Sequence, residues 1–271
     1  MANRVWQHHF GRGLVATPSN FGRSGAAPTH PELLDWLANR FVESGWSVKA
    51  LHRLIMSSRT YQLASGDHPA NAAVDPDNAW HWRHDRRRLD AEALRDAMLA
   101  VSGRLDIHRP GEHPFPPIGE WGWTQHSPFK AVYASNHRSV YLMTQRIQRH
   151  PFLALFDGPD TNTSTDERTT ATVPLQALFL MNRPLVAEHA AGFARRLISY
   201  SADGRERIAY AYALAFGRPP SAHELDKGAA YVEQYRRALA AAGSPDDALE
   251  LEAWTSYARV LMSNSEFMYL D

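Results

Sequence analysis

The sequence predicts a mainly α, multi-helix globular domain with an irregular insert, open to β structure, near residues 106–145. Three observations predict it. Apolar residues recur at helical period in about eight segments, most bracketed by helix start and stop residues. Pro110, Gly111, Pro114, Pro116, Pro117, Gly119 and Gly122 forbid a long helix between 106 and 137. Apolar residues make up 44% of the 271 positions, enough for a sizeable core and against wholesale disorder. Residues 1–271 read as one domain, and the Ala, Asp, Pro, Asn and Gly of Ala64–Asn78 mark an exposed linker where it would divide.

The elements follow in order. Val5, Trp6, His9 and Phe10 give the opening residues an apolar helical stripe, ended by Gly11 and Gly13. That Gly-Arg-Gly lacks the third glycine and the preceding strand of a dinucleotide fingerprint. Thr29 to Glu32 has capping-box spacing, with Pro31 in the first turn, and Leu33, Leu34, Leu37 and Phe41 make one face. Gly45 stops that helix, and Ser47 caps the next, which carries Val48, Leu51, Leu54 and Ile55. Asp90 caps a helix bearing Leu94, Met98, Val101 and Leu105, with Leu89 and Leu94 as a staple. The six residues Arg138–Met143 are too few for periodicity to decide between strand and helix.

Beyond the insert, apolar runs at Phe152–Phe156 and Val173–Met181 flank a polar loop. Pro174 suits a first helical turn with Thr172 as its cap, Asn182 closes that helix and Pro184 opens the next. Leu185, Phe193 and Leu197, then Ile208, Tyr212 and Phe216, mark two more helices, the second ended by Gly217 and Pro219. Ser221 and Glu224 form a second capping box, and Gly243, Ser244 and Pro245 separate the last two helices. Leu251, Trp254, Ala258 and Leu261 form the buried face of the last.

Composition excludes several functions. Lys plus Arg and Asp plus Glu each number 29, so nucleic acid and anionic membrane are poor main partners. The basic, aromatic stretch Trp80–Arg88 has Asp85, Asp90, Glu92 and Asp96 close by to neutralise it. Cysteine is absent, which removes disulfides, thiolate catalysis, Cys-based zinc and covalent haem attachment from this chain. There is no signal pattern at the start and no apolar run long enough to span a membrane. His8 and His9 are adjacent and do not converge on a metal as an i, i+4 pair would, and His30 and His52 read as structural polar groups.

Two places can carry a site. The polar loop holds Asp157, Asp160, Asp166 and Arg168, and Asp157, Asp160, Arg168 and Asn182 can gather into a small binding cluster. The same composition serves a connection whose acids and arginine pair with each other and with helix ends. In the insert, Trp121 and Trp123 can stack on sugar rings or anchor the loop to the core. The 14 histidines make accidental triads easy to assemble, and none is assigned.

The ordered segments NRVWQHHFGRGLVATPSNFG, HPELLDWLANRF, GWSVKALHRLIMSSRTYQLAS and RRRLDAEALRDAMLAVSGRLD resemble those of the planctomycete PSD-one domain, domain of unknown function fifteen fifty-three. RSVYL, FDGPD with Arg168 downstream, VPLQALFLMN, AFGRPPSAHEL and WTSYARVLMSNSEFMYLD extend the resemblance over essentially the whole chain. The resemblance implies a C-terminal piece of a larger exported protein, behind a cytochrome c module that carries the haem and a second uncharacterised domain. This chain begins inside the usual motif, as an N-terminally truncated member would. The family lends no catalytic residues.

The leading expectation is therefore a non-catalytic binding or scaffold module of an extracytoplasmic, cytochrome-associated system, with a cytochrome c-type domain or a polysaccharide as partner. A glycan-acting hydrolase using Asp157 with Asp160 or Asp166 is the first alternative, and a metal-binding protein using histidines and carboxylates the second.

Overall fold

Helix carries the fold. The computed structural model describes residues 1–113, 115–122, 128–146 and 148–270, among which twelve α-helices stand against one pair of two-residue strands, β1 (Arg87–Arg88) and β2 (Tyr269–Leu270). The described residues fall into two compact units: Met1–Arg87 with Tyr269 and Leu270, and Arg88–Met268. No helix among them is long and apolar enough to cross a membrane.

The first unit packs α1 (Ala2–Phe10), α2 (Pro31–Glu43) and α3 (Val48–Met56) around Trp6, Phe10, Leu14, Leu37, Phe41, Leu51 and Ile55. Buried Asn3 clamps the loop after α1, donating to Val15 O at 3.0 Å and accepting from Val15 N at 2.9 Å. A Cβ on Gly13 would sit 2.7 Å from both Asn3 Nδ2 and Val15 O, so this close approach requires glycine. Ser47 caps α3 as expected, accepting from Ala50 N at 3.2 Å. The capping box expected at Thr29 does not form. α2 begins at Pro31 without a side-chain cap, and the Thr29 hydroxyl donates to Leu14 O at 3.3 Å instead. His9 Nε2 and His52 Nδ1 meet at 2.7 Å, which requires at least one neutral ring. Burial first, then the His52 and Arg87 charges, lower the His9 pKa.

The stretch expected as linker, Ala64–Asn78, holds a short helix, α4 (Pro69–Val74), and lies inside the first unit; the division comes later, at Arg87 and Arg88. The Asp75 carboxylate accepts from Ala79 N and Trp80 N at 3.0 and 2.9 Å, and Trp82 Nε1 donates to Asp75 O at 3.0 Å. Arg83 pairs with Asp67, so a cation of the basic stretch is met by an acid close at hand.

The second unit is built on α8 (Pro184–Tyr200) and α11 (Asp246–Met262), which lie against each other along their length. α5 (Ala91–Val101), α9 (Gly204–Phe216) and α10 (Ala222–Ala241) complete it, with the shorter α6 (Pro151–Leu155), α7 (Pro174–Asn182) and α12 (Ser265–Met268). Met98, Phe193, Leu197, Ile208 and Met262 are fully enclosed, each stabilising the fold by about 1.5–3 kcal/mol. α10 approaches α11 at Gly228, where a Cβ would meet Tyr257 Oη at 2.6 Å. Ser221 and Glu224 form the predicted capping box at 3.3 and 2.7 Å, and Arg218 joins Glu224 to Glu266 of α12.

Between α5 and α6 runs the irregular insert. Among its described residues there are two 3-10 turns, Ile118–Glu120 and Ser139–Tyr141, and one parallel bridge, Asp106 to His137. The undecided segment at 138–143 thus resolves as a 3-10 turn. α5 holds this insert by a buried cation: Arg95 donates to His137 O and Ser139 Oγ at 3.1 Å each, and to Ser135 O. Its neighbour Asp96 accepts from both N and Oγ of Ser139 at 2.7 Å.

Candidate functional site

α6 explains the FDGPD segment residue by residue. Phe156 is buried in the core. Asp157 takes the left-handed conformation, φ 63°, that closes a helix, and Gly158 N returns to Leu153 O at 2.6 Å. A Cβ on Gly158 would lie 2.7 Å from the same carbonyl. This closure turns the Asp157 carboxylate toward Arg88, whose side chain is 7% exposed, and the two pair directly. Arg88 also donates to Ala171 O at 2.5 Å, and Asp157 accepts from Ala171 N at 3.0 Å. Gln176 of α7 adds its amide, donating to Leu155 O at 2.9 Å and to Asp157 at 3.4 Å. Burial pushes the Asp157 carboxyl up, but the Ala171 N–H, the Arg88 guanidinium and the Gln176 amide together hold it below the ordinary carboxylate value.

Arg168 goes elsewhere on the same segment. It forms a two-pronged pair with Glu92 at 2.6 and 3.0 Å and lies 3.5 Å from Asp90, at the start of α5. Asp160 is exposed and accepts from Asn162 N and Nδ2 at 3.0 and 3.1 Å, which lowers its pKa. Asp166 accepts from Glu167 N at 3.0 Å. Asn182 closes α7 as expected, with its amide donating to Leu178 O at 3.0 Å. Asp157 and Arg168 are therefore both tied to residues 88–92, while Asp160 and Asn182 serve their own local backbone.

A different cluster surrounds an open cavity. The insert encloses about 360 Å³ lined by Glu112, His113, Tyr133, Ser135, His137 and His150 with apolar neighbours. The Nδ1 atoms of His113 and His150 are buried and have no hydrogen bond. His137 Nδ1 is 3.4 Å from an Asp106 carboxylate oxygen. Burial, then the Arg95 charge, lowers the His150 pKa. An aromatic series leads outward from the cavity: Tyr133 to His113 at 4.7 Å, His113 to Phe115 at 4.3 Å, Phe115 to Phe129 at 6.1 Å and Phe129 to Trp121 at 5.3 Å between ring centres. Trp121 is 49% exposed and Phe115 53%, although the Trp121 indole N–H is anchored on Pro116 O at 3.0 Å. This bond stays within the insert and leaves the Trp121 ring partly exposed. Trp123 lies outside the described residues.

A family model described as PSD1, protein of unknown function (DUF1553), matches residues 1–232. The chain belongs to the PSD1 family. The match takes in both clusters of this PSD1 chain and ends within α10. No curated protein and no solved structure matches the chain. Three of the segments that carry the likeness meet at one point of the PSD1 chain, since Arg88, Asp157 and Gln176 belong to RRRLD, FDGPD and VPLQALFLMN. Among the described residues no group of three or more His, Asp or Glu is placed to hold a metal ion. The cavity histidines escaped the sequence reading because they are spread over 38 positions, 113 to 150, with no helical or ligand spacing. The available signal was Arg95, a cation set between Leu94 and Met98 on a core-facing helix, which needs partners from another segment.

Proposed function

We propose that this PSD1 chain is a non-catalytic binding module and that its insert takes a saccharide. The observation that carries the reading is the aromatic series from Trp121 to His113, exposed at Trp121 and Phe115 and ending in a cavity of about 360 Å³ with imidazole, hydroxyl and carboxylate groups on its wall. Sugar rings present C–H faces that lie on aromatic rings and hydroxyls that need polar partners. The loop acids favour a non-catalytic role. A glycosidase needs one carboxyl with a raised pKa as general acid, and Asp157 and Asp160 are both shifted down. The setting is the one the family likeness implies, an exported system whose haem sits on a separate cytochrome c-type module.

The test is binding to an array of soluble neutral and acidic oligosaccharides, followed by calorimetry on the best of them. Trp121→Ala is expected to weaken binding about tenfold, the loss of one stacked ring, while Asp160→Asn leaves it unchanged. Full binding by Trp121→Ala, or release of new reducing ends from the glycan, would refute this reading.

A further inference from the structure

The polar groups of the insert cavity are unequally divided between donors and acceptors. Arg95 takes up Ser135 O and His137 O, two backbone acceptors of residues that line the cavity. Ser135 Oγ accepts from His137 N at 3.2 Å and Tyr133 Oη from Lys130 N at 3.2 Å, which leaves both hydroxyl hydrogens free to donate. Three imidazoles, His113, His137 and His150, bury an Nδ1 without a hydrogen bond. His137 Nδ1 lies 3.4 Å from an Asp106 carboxylate oxygen. Glu112 is exposed and is the one carboxylate that lines the cavity among the described residues. Asp96 is already engaged by Ser139, and Asp106 by His108. The fixed positive charge of Arg95 behind the wall acts on His150.

Resting on the saccharide reading, we infer that this cavity recognises an anionic substituent of the sugar, a carboxylate or a sulfate ester, through His113, His137 and His150. Such a group supplies acceptor oxygens to a donor-rich wall and a counter-charge to the imidazoles. Burial and the Arg95 charge disfavour the protonated form of His150 in the free chain, so taking an anion draws a proton in. Affinity for the charged ligand rises as pH falls from 8 to 6, by up to tenfold per unit for each proton taken up. Affinity for a neutral ligand does not.

The experiment uses the full chain and matched oligosaccharide pairs that differ only in charge. One pair is hexagalacturonate and its methyl ester, and the other is a sulfated oligosaccharide and its desulfated form. The expected result is at least a tenfold preference for the charged member of one pair at pH 6, shrinking at pH 8. Which pair responds tells carboxylate from sulfate. His150→Gln and His113→Gln are each expected to reduce that preference while the neutral member binds as before. Equal binding within both pairs would overturn the anion inference and leave the saccharide reading standing. No binding to any saccharide of the array would remove both. If His150→Gln fails to fold by circular dichroism, the pH dependence of the intact chain decides alone: a preference that does not change between pH 6 and 8 counts against the imidazoles.

Discussion

Asp157→Ala is expected to lower the unfolding free energy at pH 7 by about 3 kcal/mol, the range for breaking a buried ion pair. The variant leaves the Arg88 guanidinium with backbone and amide oxygens but no counter-charge, in a place where only 7% of its side chain meets solvent. Asp157 itself is 22% exposed, which places the effect at the lower end of that range. Alanine also fits the left-handed backbone at this position poorly. Asp157→Asn, which tolerates that conformation, separates the two causes and is expected to cost less. The double variant Arg88→Met with Asp157→Ala should recover part of the loss, because no charge is then left buried. The pH dependence has a definite sign. The folded pKa of Asp157 lies below its unfolded value, so the pair stabilises fully above roughly pH 4 and is lost as pH falls through the folded pKa. Urea unfolding at pH 7 and pH 3 measures this. A change below about 0.5 kcal/mol at pH 7 would make the contact an ordinary surface pair.

His189→Gln is expected to flatten the acid side of the stability curve. His189 is buried in α8 at 4% exposure, with Nδ1 3.4 Å from Ser102 Oγ. Burial first, then Arg104 and Arg95, lowers its pKa to about 4. The native chain therefore refuses a proton that the unfolded chain accepts below about pH 6.5. Stability is complete above that value and declines as pH falls toward 4, by about 3 kcal/mol from this one residue. His9, His81 and His150 are lowered too and act in the same direction, so the wild-type slope alone does not isolate His189. Urea midpoints of wild type and His189→Gln at pH 7, 5.5 and 4.5 do. Parallel curves would show that the proton is taken up elsewhere.

Much of the helical body was legible because its signals are local. Pro184–Tyr200, the Ser221 and Glu224 box, the Ser47 cap and the left-handed Gly45, Gly217 and Gly243 each depend on residues within one turn of each other. The Thr29 box was misread for the same reason: its spacing was right, but Leu14 O, fifteen residues earlier, took the hydroxyl. α4 was hidden by a turn-like composition. The loop chemistry was half legible. FDGPD read as a turn, yet nothing near it in the sequence shows that Asp157 meets Arg88, 69 positions away, or that Arg168 meets Glu92 across 76. The acids and the arginine were expected to gather with one another; Asp157 and Arg168 instead found partners on residues 88–92, and Asp160 on Asn162 beside it. The insert was least legible. Its Gly and Pro residues announce irregular backbone, but the 135–139 stretch is held by Arg95, which lies outside it.

The proposed binding lies in the insert, while the 157–182 region holds the second unit together. Hydrogen exchange of the full chain, with and without a saturating amount of the tightest oligosaccharide of the array, tests that division directly. Slowed exchange is expected in 110–113 and 131–143, with amides of 157–182 unchanged. Slowing confined to 157–182, with the insert untouched, would contradict it.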